Sequence, residues 1–559
     1  MMKARLLLRI SLFLTSVLMV GCASTPPAFN QAAIATSHPL ATQAGFRALD
    51  QGGNAYDAAV AASAVLSVVA PYGAGLGGGS VWLLQRKDSE ATVVDAREAA
   101  PQNTHQYSAL YSQPLERPDQ NTQQTSDSNP TSLPKNSPKS AAIPGQPAAL
   151  AHISRKYAIR PLAANLADAV HIATRGFRAN KQYRDYATKR LDALKQQPSS
   201  PFLHQGGIPG SRTIIKQPAL AATLKQLGRK GHKGFYQGEV ANNIIADLKQ
   251  AGVIWSLQDL NNYNVIERTP ISFGYKGSTI TTTPPPSYAG ITLQQTLKIL
   301  ERFDTSEMSR VEKIDLVSRI MRVTTPEITH WLGDPDFSNL PLEKQSSASY
   351  LSFLAADIAE KVPTKLNKDA ANTLSPSDAF MPQIVAVDKW GNRVAVSLSM
   401  NEPFGSTFTS RSTGVLLNNS LTSFSNNPHS NNTAEPGKRP LSYMNPILAE
   451  SSDEFTIMAA SKGKYTNTAL LLAILDYIDK SNNNQAHSIA YHYDTLNEQL
   501  LVDLSALSDA EKHTLKEMGH RIQAYPTGHS DLQVIHKDKA TGNIEAYSSS
   551  TGGGQAVVR

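Results

Sequence analysis

Four stretches of the chain carry side chains whose types and spacing could do chemistry. Ser461 and Lys464 spell Ser-x-x-Lys, a spacing at which a lysine amine can take a serine proton. The companion motifs of such pairs are missing, so the stretch reads as a solvated turn. Arg97 stands in "DAREAAP" (Asp95–Pro101), and its planar guanidinium suits either a two-pronged grip on a carboxylate or an ion pair. Gly73–Gly78 reads "GAGLGG", the glycine string of dinucleotide sites. That motif needs a strand before it and a helix after it. Here the pattern is helix first and strand second, which excludes that role. The fourth stretch ends at Cys22, the single cysteine of the chain. The 14 histidines are scattered, with no His-Glu-x-x-His and no cysteine cluster, so no metal and no other cofactor is expected.

Lys3 and Arg5 precede the apolar run "LLLRISLFLTSVLMVG", which is short for a membrane span and broken by Arg9. A basic start, an apolar middle and small residues before a cut site make a secretory signal over residues 1–21. With Cys22 directly after Gly21, the site resembles a bacterial lipobox, and lipid on Cys22 would anchor the chain. Ala23 follows rather than Asp, which points to the outer membrane, facing the periplasm. Residues 22–34 then form a short tether. The chain has 559 residues, 40% hydrophobic and 18% charged, enough for a large core. Its net charge is +7, and removing the three cations of residues 1–21 leaves +4. No basic stripe is interleaved with aromatics, so nucleic acid is not an expected partner. Nothing in the sequence names a protein partner.

The elements that must position these residues centre on Met381–Ser425. Two runs rich in Val and Ser, Gln383–Val387 and Arg393–Met400, flank "DKWGN", a hairpin turn signal. The first arm is almost continuously apolar, so both of its faces are expected to be buried, with layers on each side. Toward the start of the chain, the spacing predicts helices over 39–50 and 57–69, then paired strands over 80–84 and 92–95. Residues 112–140 and 361–377 are polar and read as solvated loops.

The string "GGNAYDAAVAASAVLSVVAPYGAGLGGG", "DAREAAP", "PPPSYAG", "WLGDPDF", the hairpin and "GKRPLSYMNP" resemble, in order, segments of the γ-glutamyltranspeptidase family. The likeness runs from Ala35 to Arg559. It implies a four-layer αββα sandwich of the N-terminal-nucleophile hydrolase type. A large-subunit-like part (35–378) and a small-subunit-like part (379–559) would make up one composite domain. Family members cut their own chain before a Thr, which becomes the nucleophile for γ-glutamyl transfer and glutathione hydrolysis. That Thr lies seven residues before the turn Asp, here Asp388, and the matching residue is Met381. A thioether cannot be acylated as an ester. Ser375 and Ser377 are the hydroxyls that an alignment slip would bring in.

Other positions carry over with mixed success. Ser399 matches a second Thr that assists the nucleophile. Arg97 and Ser442 match the grip on the substrate α-carboxylate, where a second Ser has become Tyr443. At the amine end Asn401 remains, while Gln and Asp of the family have become Ser420 and Ser423. The glycine pair that donates to the oxyanion reads Lys462–Gly463. The family's "PPPSSGG" departs at Tyr288 and Ala289. The reading is a degenerate envelope lipoprotein with a residual pocket for a γ-glutamyl or other carboxylate ligand. The alternatives are an active γ-glutamyl transferase or hydrolase, and a hydrolase with a relocated Ser nucleophile.

Overall fold

The computed structural model describes residues 31–103, 133–197, 200–360, 380–461, 463–479, 490–495, 497–526, 531–549 and 553–559. The central hairpin is present, with arms Gln383–Val387 and Arg393–Ser399 paired antiparallel from Gln383 opposite Ser397 to Val387 opposite Arg393. The Asp388 carboxylate accepts from the N–H groups of Trp390 and Asn392, and Gly391 supplies the positive φ of 89° that the turn requires. Its second oxygen accepts from the N–H of Ala55 at 2.9 Å, which ties the turn to the start of helix Ala55–Val69. Burial holds the Asp388 pKa above its ordinary value despite these donors.

The hairpin lies inside a seven-stranded sheet. Its order is Gln555–Val558, Ala33–Thr36, Gln383–Val387, Arg393–Ser399, Gly79–Gln85, Ala91–Ala96, Ile266–Arg268, with every neighbour antiparallel. A second sheet of six strands runs Ile544–Ser548, Asp531–Asp538, Glu454–Ser461, Ile447–Glu450, Ser278–Thr282, Ile271–Tyr275. Both sheets draw strands from each side of residue 379, so neither half of the chain closes a core alone.

Period-two alternation sorts the hairpin side chains between layers. Ile384, Ala386, Val394, Val396 and Leu398 join the cluster under helix Ala55–Val69. Val385, Val387 and Ala395 point the other way, into a cluster shared with Leu448, Ile457 and Ile535 of the second sheet. Helices Tyr288–Leu300 and Thr466–Asp479 supply side chains to a third cluster on the outer face of that sheet. The result is the αββα sandwich that the resemblance implied. All 15 residues of helix Ala55–Val69 are buried, as its small Ala, Ser and Val side chains permit.

The early elements fall where the spacing places them: helices Pro39–Asp50 and Ala55–Val69, strands Gly79–Gln85 and Ala91–Ala96. Two expectations need correction. Ser461, expected in a solvated turn, ends strand Glu454–Ser461 and is fully buried. The end of the polar stretch 112–140 is packed rather than solvated: Leu133 is buried with Ala100, Ala142, Leu421 and Phe424. The stretch 361–377, with Ser375 and Ser377, lies outside the described residues, as does Cys22. Among the described residues no helix is long and apolar enough to cross a membrane.

Candidate functional site

Met381 sits just ahead of the first hairpin arm. Its side chain has the same parity as Val385 and Val387, so it enters the cluster between the sheets and is only 3% exposed. Its N–H donates to Ser461 Oγ at 2.7 Å, and its carbonyl accepts from Gln383 Nε2. The Ser461 hydroxyl therefore holds the Phe380–Met381 amide and is itself fully buried. Lys462 and the side chain of Lys464 lie outside the described residues; Gly463 adopts φ 58° and its carbonyl accepts from Thr466 Oγ1 at 2.7 Å.

The "GAGLGG" loop closes over this point, and its glycines are required by close approach. A Cβ on Gly73 would lie 2.5 Å from the Phe380 carbonyl oxygen and 2.6 Å from Pro382 Cδ. One on Gly78 would lie 2.3 Å from the Ser399 carbonyl oxygen. The string thus serves packing against residues 380–382 and 399, not a phosphate.

Arg97 is almost wholly buried and engaged on three sides. Nη1 pairs with Glu98 Oε2 at 2.6 Å and reaches Ser420 Oγ at 3.3 Å; Nε and Nη2 donate to the carbonyls of Pro440 and Leu441. The Arg97 and Glu98 side chains are 3% and 0% exposed. Four of the five guanidinium N–H groups are used within the chain. Beside it, Asn401 takes a left-handed φ of 70°. Its N–H donates to Ser399 Oγ, its amide nitrogen to Asn419 and Thr422, and its amide oxygen accepts from Ser423 Oγ at 2.8 Å. Two hydrogen-bonded groups result: Arg97 with Ser420, and Asn401 with Ser399 and Ser423.

Ser442 Oγ accepts from the Met444 N–H at 3.0 Å, and Ser442 bridges to Ser287. Tyr443 packs edge-on against Tyr288, with ring centroids 5.7 Å apart. Tyr443 also lines both the cluster that holds Met381 and the one that holds Tyr288. Burial raises both phenols, Tyr288 to about 12. Three positions where the family resemblance implies small hydroxyl residues (288, 381 and 443) are thus occupied by large side chains that line adjoining apolar clusters.

Sequence reasoning passed over two participants. Glu98 stood next to Arg97 in the quoted string, yet its role as the buried counter-charge was not drawn. Asp531 is the other. Its carboxylate accepts from Ser37 Oγ and Gln533 Nε2. Ser37 Oγ in turn accepts from the Gln383 N–H at 2.6 Å, so the network reaches the residue that holds the Met381 carbonyl. A carboxylate in an alternating strand gives no local signal of such burial. Desolvation lifts the Asp531 pKa from 3.8 to about 6, against the donors around it. The folded state thus holds a proton that the unfolded chain has lost, and stability falls as pH rises from about 4 to about 6. Above that window the buried charge costs on the order of 3 kcal/mol. Asp531→Asn is expected to raise the urea midpoint at pH 8 and to leave it unchanged at pH 4; an equal effect at both would contradict this assignment.

Among the described residues no group of three or more His, Cys, Asp or Glu side chains is placed to hold a metal ion. A family model described as gamma-glutamyltranspeptidase matches residues 41–558. The chain is 28% identical over 548 residues to the glutathione hydrolase proenzyme of Bacillus subtilis (strain 168), covering 94% of this chain and 91% of that one. It is 29% identical over 519 residues to the glutathione hydrolase proenzyme of Escherichia coli (strain K12), covering 89% and 87%. Its fold superposes on the crystal structure of cephalosporin acylase from Bacillus halodurans with a TM-score of 0.81, over 94% and 95% of the two chains, at 22% identity.

Proposed function

The chain belongs to the gamma-glutamyltranspeptidase family, and from that premise we propose that it is a catalytically degenerate member, held at the bacterial envelope by lipid on Cys22. The observation that carries this reading is Met381. An N-terminal nucleophile needs a hydroxyl and a free amine on the same residue. Here the residue at that position offers a thioether and no hydroxyl. The packing of Tyr288 and Tyr443 supports the same conclusion, since it fills space beside the hydroxyl positions with apolar rings. The test is hydrolysis of a γ-glutamyl anilide by the purified chain. No release above the uncatalysed rate is expected; turnover abolished by a glutamine analogue that acylates the family's nucleophile would overturn the reading.

The residual pocket in this reading favours a carboxylate over an amino-acid zwitterion. Ser420 and Ser423 stand where the family places Gln and Asp, and loss of a carboxylate partner for a desolvated ammonium typically costs roughly 2–5 kcal/mol. The carboxylate end is itself weak, because Glu98 already neutralises Arg97. Calorimetry is expected to give glutarate binding at least as tight as glutamate binding, both in the millimolar range. A clear preference for glutamate would show that the ammonium retains a partner.

Anchoring rests on the Cys22 site in the sequence. Replacing Cys22 with Ser is expected to move the protein from the membrane fraction to the soluble periplasmic fraction. Unchanged fractionation of the variant would remove the lipid anchor from the account.

A further inference from the structure

We propose that the cleft where helix Gln146–Lys156 meets the turn Lys230–Lys233 binds a phosphate-bearing anion of two or more negative charges. The cleft has a volume of about 940 Å³. Ala148, Ala151, His152 and Arg155 line one wall at helical spacing, and the two alanines leave the space open. Lys230, His232 and Lys233 line it from the turn, which Gly231 makes at φ 57°, and Arg160 contributes from a loop.

The lining of this cleft is basic. Two Arg, two Lys and two His line it, and no Asp or Glu does. The nearby carboxylate, Glu267, is already matched by His152 and Lys156. Among the described residues no ion pair is formed by Arg155, Arg160, Lys230 or Lys233. A second cleft, of about 720 Å³, is the useful contrast: Asp315, Asp357, Glu498 and Glu517 share its walls with its arginines, and Arg319 and His520 both pair with Asp315. That cleft balances itself, whereas the basic one presents cations that form no ion pair among the described residues, which favours a multivalent anion. Guanidinium forks together with ammonium point charges suit phosphate oxygens. His232 reports on the site. Its pKa lies below the ordinary value, through burial first and the Arg155 charge as well, so a bound anion must raise it.

Calorimetry with inorganic pyrophosphate, and sedimentation with phosphatidylcholine vesicles with and without phosphatidic acid, test this, both on the Cys22→Ser chain so that no lipid anchor drives sedimentation. The comparison variant adds Arg155→Gln, Lys230→Gln, Lys233→Gln to that chain. Pyrophosphate is expected to bind, to bind at least tenfold more weakly to the variant, and to move the His232 ring-proton titration upward. A soluble phosphate ester is the ligand class if pyrophosphate binds and phosphatidic acid adds nothing to sedimentation. A lipid headgroup is assigned if sedimentation depends on phosphatidic acid, is lost in the variant, and pyrophosphate gives no heat. Absence of both in the Cys22→Ser chain, or equal binding by that chain and the variant, overturns the proposal.

Discussion

Arg97→Ala is expected to destabilise the protein by about 3–5 kcal/mol, the cost of leaving a buried carboxylate without its counter-charge. Glu98 is fully buried and pairs with Arg97 at 2.6 Å, and its buried Oε1 has no hydrogen-bond partner among the described residues. The guanidinium also holds the Pro440 and Leu441 carbonyls and Ser420, so its removal unpins the loop that carries Ser442. A loss of this size is a large part of the stability of a typical domain. Adding Glu98→Gln to the variant removes the stranded charge, and much of the loss is then expected to return. Urea denaturation followed by fluorescence reads both variants. If Arg97→Ala is as stable as the wild type, the pair is not structural and the guanidinium is available to a ligand.

The second large effect concerns Met381→Thr. In an active relative this residue would be the nucleophile, yet here the substitution alone is expected to give no anilide hydrolysis. The threonine hydroxyl would arrive in a cluster made of Val385, Val387, Met444 and Ile457. Loss of buried volume and entry of a hydroxyl into that layer together cost about 2–4 kcal/mol. Tyr288 and Tyr443 keep the adjoining space filled, and Ser420 and Ser423 still leave an ammonium without a carboxylate. The variant should therefore melt earlier than the wild type and remain inactive. Anilide hydrolysis by Met381→Thr alone would mean that the pocket is intact and that one residue separates this chain from its active relatives.

How far these features were legible in the sequence depends on whether the signal is local. The hairpin was readable because turn chemistry at Asp388 and Gly391 and the apolar arms act over a dozen residues. The helix-then-strand order around "GAGLGG" excluded a phosphate loop, and close packing on residues 380–382 supplies the reason for the glycines. Met381 was visible by counting from Asp388. What it touches was not, because Ser461 and Tyr443 come from the second sheet and from a loop more than sixty residues away. Tyr288 and Tyr443 were each seen as departures from a family string. Only the fold brings them to 5.7 Å and makes them one change. Arg97 shows the limit most clearly: composition and spacing leave a ligand grip and an ion pair equally open, and the buried Glu98 beside it becomes decisive only once the burial of both is known.

The central claim is that the Phe380–Met381 bond stays an ordinary peptide. Self-cleavage in the family is an acyl shift onto the nucleophile's own hydroxyl, and an uncut bond also withholds the amine that serves as base, so processing and turnover fail together. An intact-mass spectrum of the purified protein tests this most directly. The account predicts one species that spans both halves of the chain. Two fragments, with the smaller beginning anywhere between Ser375 and Met381, would contradict it and return the protein to the active enzymes.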